Sequence, residues 1–259
     1  MNLPDFGLGA LEADLWNLIF VMVRIGAAFL AAPIFGAASV PVQLRIVLAG
    51  AIGVFVLAWA DVAVPPDLLS LPGLLALAGE VVIGLAFGFL LTLSFAAAVM
   101  AAEQIGGAMG MAIATAVDPN TGGQSGALGQ YFTLVLTLIF LGIGGHLVWL
   151  RLIIDSYAVL PPGTWLGAER AGMIAGFASA MFVAAAAIAL PVILALLLVQ
   201  FATGVLSRSA PSLNLFSLGL PAGVMAGIAA LIAASPLIAE QFVALSGQAL
   251  EHVTQALMS

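Results

Sequence analysis

The 259-residue sequence contains no cysteine and no lysine. Without cysteine there is no disulfide framework, no thiolate zinc site and no thiol nucleophile. All five basic residues are arginines, Arg24, Arg45, Arg151, Arg170 and Arg208, set against twelve acidic ones. A net charge of −7 with scattered arginines excludes a nucleic-acid surface, which needs clustered Lys and Arg. Only 7% of residues are charged, against about 25% in an average soluble domain. So few charges cannot clothe a soluble fold of this size. No His, Asp or Glu residues show metal-ligand spacing. Neither catalytic groups, metal nor cofactor are expected.

What the chain does contain is long apolar runs, with 64% of its residues hydrophobic. A bilayer span needs about 20 apolar residues. The runs are Leu15–Ala32, Ile46–Ala60, Leu71–Ala102, Leu128–Leu150, Ala171–Ser207 and Ser209–Ala239. They are apolar on all faces, so helices fit and an alternating β-barrel does not. The pattern predicts an all-α polytopic membrane protein of about six hydrophobic helices with Pro/Gly breaks, in one integral membrane domain over residues 1–259. Pro191 and Pro221 are the expected breaks. Asp5, Glu12 and Asp14 precede the first run, where a secretory signal needs positive charge. That run is therefore expected to stay in the mature chain. The arginines are too dispersed for the positive-inside rule to fix orientation, although the acidic start points to an external N-terminus.

Two runs carry ionisable groups, Arg24 in the first and Glu80 in the third. Such groups in a membrane helix mark an ion path or pair with each other. With one acid and one base, pairing is the favoured reading and a proton relay the alternative. Small-xxx-small pairs recur at Gly84/Gly88, Gly106/Gly110, Gly172/Gly176 and Gly219/Gly223/Gly227. They allow close helix approach, most persuasively along the triple.

The connection Glu103–Gly126 is unusual. It carries Gly106, Gly107, Gly110, Gly122, Gly123 and Gly126 around Asp118-Pro119, yet Met109, Met111, Ile113 and Val117 keep it apolar. Irregular apolar backbone belongs inside protein, lining or closing something. Asp118, before a proline, reads as a turn or cap residue. Gly123-Gln124-Ser125-Gly126 matches the G-x-S-G of intramembrane serine proteases, which need a histidine against the serine. On one helix over Leu128–Leu150, His146 would lie roughly 30 Å from Ser125, so a protease is not expected.

Taken in order, these stretches resemble the FliR family, flagellar type III export-gate subunits whose injectisome counterpart is SctT. Arg24, then Ala32-Pro33-Ile34-Phe35-Gly36, Pro41 and Arg45, resembles the family's first hairpin. Glu80-x3-Gly84-x3-Gly88 resembles its long third helix. Ala102-Glu103-Gln104-Ile105-Gly106-Gly107-Ala108-Met109-Gly110 with Asp118-Pro119 resembles its central glycine-rich segment. Gly145-His146 and Asp155-Ser156-Tyr157 through Pro161-Pro162-Gly163 resemble its next helix and turn. Most specific is Arg208-x-x-Pro211-x-x-Asn214, followed by Gly219 and Pro221. Two positions depart from the pattern: Ser212 stands where a glutamine is common, and Gln200 where an acid is common.

The resemblance implies a subunit of the bacterial inner membrane and flagellar basal body. It implies assembly with FliP and FliQ into the entry pore for unfolded export substrates, with FlhB and FlhA alongside and lipid around. It implies FliP-like N-terminal and FliQ-like C-terminal portions. It carries a pore plug onto Gly106, Gly107, Met109, Gly110, Met111, Asp118 and Pro119. Structural or partner contacts fall on Arg24, Pro33, Pro41, Arg45, Glu80, Gly84, Gly88, Arg208, Pro211, Asn214, Gly219, Gly223 and Gly227. An injectisome export-gate subunit and, more distantly, a proton-coupled transporter are the alternatives.

Overall fold

The computed structural model of the chain describes residues 8–60, 62–111, 126–209 and 215–258. Among them lie seven helices and no strand: α1 (Leu8–Ala31), α2 (Val42–Trp59), α3 (Leu71–Ala108), α4 (Ala127–Gly142), α5 (Gly145–Val159), α6 (Ala168–Ser209) and α7 (Leu215–Leu257). With no water at membrane depth, helices satisfy every backbone group within the segment.

The helix ends follow local chemistry. Ser70 caps α3, its Oγ accepting the Gly73 N–H at 3.2 Å. The Pro161-Pro162-Gly163 turn closes with the Thr164 N–H donating to the Pro161 carbonyl at 3.0 Å, and Gly163 has φ +87°. α2 starts directly after Pro41.

Four boundaries differ from the expectations. α3 runs six residues past Ala102, so Glu103, Gln104, Gly106 and Gly107 are helical. Buried Ala101, Ala102 and Ile105 on one face hold that last turn in place despite its glycines. Leu128–Leu150 is not one helix, because Gly144 is left-handed at φ +73° and divides α4 from α5. Pro191 and Pro221 do not break their helices; each lies inside an unbroken one. A proline in an apolar helix removes one hydrogen bond, which neighbouring packing tolerates. Finally, α7 continues to Leu257. Its end buries Ile238, Phe242, Leu245, Ala249, Val253 and Leu257, a three-and-four spacing that defines a helical stripe.

Among the described residues, five helices are long and apolar enough to cross a membrane, and α4 with α5 makes a sixth only as one broken span. α3, α6 and α7 have 38, 42 and 43 residues. At 1.5 Å per residue they measure about 57–65 Å, roughly twice the hydrocarbon thickness.

The chain forms two compact units of interleaved stretches. The first comprises Met1–Leu93, Gly144–Phe177 and Gln248–Ser259. Its core includes Phe20, Ile25, Phe29, Ile83, Phe87, Trp149 and Ile153. Phe35 stacks between Phe29 and Trp149 at 4.8 and 5.5 Å. The second unit comprises Ser94–Ile143 and Ala178–Gly247. There Phe95 meets Phe140 edge-on at 6.3 Å, and Phe132 meets Phe242 at 5.4 Å.

Candidate functional site

Two constellations gather the chemistry-bearing residues, one in each unit. In the first unit Arg24 and Glu80 are fully buried and paired. Arg24 Nε and Nη2 donate to the two carboxylate oxygens of Glu80, both at 2.8 Å, a fork-to-fork contact. Nη1 donates to Ser156 Oγ at 2.9 Å, and Nη2 also to the Leu160 carbonyl at 2.7 Å. The guanidinium carbon lies 4.1 Å from the centre of the Tyr157 ring. Tyr157 in turn donates to the Val21 carbonyl at 2.7 Å. One arginine thus joins α1, α3 and the end of α5. Both Glu80 oxygens bind the same buried guanidinium, an arrangement that ties the helices bearing them together.

The helix approach behind this pair depends on glycine. A Cβ on Gly84 would meet the Arg24 carbonyl and the Ala27 Cβ, and one on Gly88 would meet Ala28 O and Ala31 Cβ. α3 therefore lies directly against the α1 backbone. Arg45 secures the first hairpin from within: its Nη2 donates to the carbonyls of Ala37 (2.6 Å), Val40 (3.0 Å) and Gly36 (3.2 Å).

The second constellation lies at the end of α3 and the start of α4. α3 ends at Ala108, and Gly110 turns the chain away at φ +85°. The Gln200 side-chain amide on α6 donates to the Ala108 carbonyl at 2.7 Å. Met109 is 4% exposed and lies on α7. A Cβ on Gly227 would fall among Met109 Cγ, Sδ and Cε, and one on Gly223 would reach 3.1 Å from the Met109 carbonyl. Across the segment, Glu103 Oε1 accepts the Gly126 N–H at 2.9 Å, tying the end of α3 to the start of α4. The chain leaves and returns at one point.

Comparison with known proteins decides what this arrangement belongs to. The sequence model of the bacterial export proteins, family 1, matches residues 15–249. The chain belongs to this family. The flagellar biosynthetic protein FliR of Escherichia coli (strain K12) is 34% identical over 239 residues, covering 90% of this chain and 87% of its own. FliR of Bacillus subtilis (strain 168) is 32% identical over 225 residues, covering 85% and 86%. The Yop proteins translocation protein T of Yersinia pestis is 30% identical over 162 residues, covering 61% of each chain.

Within this bacterial export protein, the residues singled out in the sequence separate into groups. Arg24, Glu80, Gly84 and Gly88 come together in one packed cluster. Met109, Gly223 and Gly227 meet in another. Gly106 and Gly107 have open space where a Cβ would stand. Gly110 and Met111 are half-buried at the segment's start, Pro33 is half-buried and Pro41 exposed. Arg208 is exposed in the last turn of α6, and Gly219 is half-buried in α7. Asp118, Pro119, Pro211 and Asn214 lie outside the described residues, as does Ser125.

Sequence reasoning did not assign Ser156 and Tyr157 to the Arg24 cluster, nor Glu103 and Gln200 to the segment's anchors. A signal for the first two exists: Trp149, Ile153, Ser156, Tyr157 and Leu160 form one buried stripe at helical spacing. Glu103 and Gln200 sit on exposed positions, where no periodicity distinguishes them from a solvated face.

Proposed function

We propose that this chain is an export-gate subunit of a bacterial flagellar type III secretion apparatus, and that Gly106–Gly126 plugs its pore. In this reading it assembles with FliP and FliQ in the inner membrane, at the flagellar basal body. FlhB and FlhA lie alongside, and unfolded substrates pass through. Its N-terminal portion is FliP-like and its C-terminal portion FliQ-like. The subunit makes and breaks no bond; it opens and closes a path.

The observation that carries the plug reading is the tether of Glu103 to Gly126. It brings together the chain on either side of the glycine-rich stretch, at the end of α3 and the start of α4. Family membership supports the export role. Flagellar relatives align over most of the chain, whereas the Yersinia translocation protein aligns over 61%, which favours the flagellar branch over the injectisome. A proton-coupled transporter is disfavoured by the closed Arg24–Glu80 pair.

The test is deletion of Gly106–Gly110 in the assembled complex. Ion leak across the membrane should rise. Unchanged leak together with unchanged export would defeat the plug reading.

A further inference from the structure

Helix α2 buries one face and leaves the other bare. Ala49, Gly53 and Val56 are buried. A Cβ on Gly53 would meet Leu18 of α1, and one on Gly50 would meet Met22, so the two helices run antiparallel. The opposite face carries Leu44, Val47, Ala51, Val54 and Ala58, all exposed. Their spacing alternates between three and four, which makes one stripe along the helix. No charged residue falls between Ile46 and Ala60. The apolar surface continues onto α1 through Leu11, Leu15 and Ile19, four apart and each exposed. Leu11 and Leu15 line one cleft with Val54 and Leu57 of α2.

Three features point to what covers this surface. The first is length. α2 has 18 residues and measures about 27 Å, close to a hydrocarbon thickness of about 30 Å. The second is the aromatic end. The antiparallel pairing brings Trp16 of α1 to the level of the last turn of α2, where Trp59 stacks on Phe55 at 5.7 Å. Trp59 is 81% exposed, and exposed indoles belong at the headgroup level, where the ring is in apolar surroundings and the N–H is wet. Exposed Glu12 and Asp14 stand beyond Trp16, toward the start of α1. The third is the hairpin end, where Arg45 Nη2 donates to the carbonyls of Gly36, Ala37 and Val40. Those backbone groups thus have a partner within the chain and need no water.

We propose that the bare stripe of α2, with Leu11, Leu15 and Ile19 of α1, is the surface by which this chain faces the bilayer hydrocarbon, with Trp16 and Trp59 at the headgroup level. The lipid face is then the α1–α2 hairpin, and partner subunits cover α6 and α7. It holds whether or not Gly106–Gly126 is a plug.

The absence of native cysteine allows single labels. A nitroxide on Val47→Cys or Val54→Cys, in the assembled complex in phosphatidylcholine vesicles, should relax several-fold more with oxygen, which dissolves in hydrocarbon, than with a water-soluble nickel chelate. A nitroxide on Glu12→Cys should show the reverse order. Shielding of Val47 and Val54 from both reagents would mean that a partner subunit or a second copy covers α2. Relaxation there by the chelate would mean that water does. Either result overturns the proposal. On α6, labels at Leu198→Cys and Phe201→Cys should be shielded from both reagents. Oxygen access there too would remove the partner cover from α6, and that part of the export reading, while leaving the lipid face of α2 in place.

A second variant guards against a label that disturbs packing. Ala51 is exposed midway along α2. Ala51→Arg sets a charge at hydrocarbon depth and should lower the chain recovered in membranes several-fold, whereas Ala51→Leu should leave recovery unchanged. Equal recovery of the two variants would also overturn the proposal.

Discussion

Arg24 shows how one side chain determines the architecture around it. Its guanidinium is fully buried, holds Glu80 by two 2.8 Å contacts and reaches the end of α5 through Ser156 and Leu160. Removing one partner strands a buried charge, so Glu80→Ala should destabilise the fold by about 3–5 kcal/mol. Replacing Arg24 and Glu80 together by Met and Leu should cost clearly less, because no charge is stranded. Thermal unfolding of the detergent-solubilised complex checks this; a double variant as unstable as Glu80→Ala would assign the loss to shape instead of charge. Glycines divide in the same way. Gly84→Ala drives a methyl into the Arg24 carbonyl and should cost about 1–3 kcal/mol by overpacking, whereas Gly172→Ala should be neutral or better. Both belong to small-xxx-small pairs. Spacing marks where a helix may approach, and only the neighbour's position shows whether one does.

Helix α3 is the element on which the reading turns. Its last turn contains Gly106 and Gly107, both with open space beside them. Alanine there should favour the helix by about 1 kcal/mol per site. If the segment opens by unwinding that turn, Gly106→Ala/Gly107→Ala should slow export while leaving resting leak unchanged; export at the parental rate would show that α3 stays helical during passage. The tether offers a second check. Glu103→Ala removes the acceptor for the Gly126 N–H, worth about 1–2 kcal/mol, and should raise leak. Glu103→Gln keeps an acceptor oxygen and should restore the seal. The glycine-rich composition of this stretch made it readable as a separate segment, but its start was displaced by six residues. Glycine content argues for a loop, and the buried Ala101, Ala102 and Ile105 face decides for helix. The expected breaks at Pro191 and Pro221 failed for a related reason: neighbouring packing holds a helix through a proline that would interrupt it in isolation.

At the scale of the whole molecule, α6 and α7 expose large apolar side chains, among them Leu198 (73%), Phe201 (75%), Met225 (68%) and Ile232 (70%). Helices about twice as long as the bilayer is thick cannot present all of that surface to lipid. Under the proposed function FliP and FliQ cover part of it. Co-expression with them should raise the yield of folded chain recovered in mild detergent; equal yield of a monodisperse chain expressed alone would leave lipid as the sole cover. By itself the sequence determined the apolar surroundings and the helical class, though not where each helix begins and ends. Scarce charge and continuous apolar runs admit only helices at membrane depth, since each helix satisfies its own backbone. The order of short motifs also carried the family. Only the tertiary structure decided which polar groups meet. Arg24 and Ser156 are 132 positions apart, and Gln200 and Ala108 are 92 apart. Chain separation of that size holds no local periodicity, so such contacts arise from helix packing alone. The same holds for the glycine-rich segment singled out at the start: composition marked it as buried, and packing gave Met109 its seat on α7.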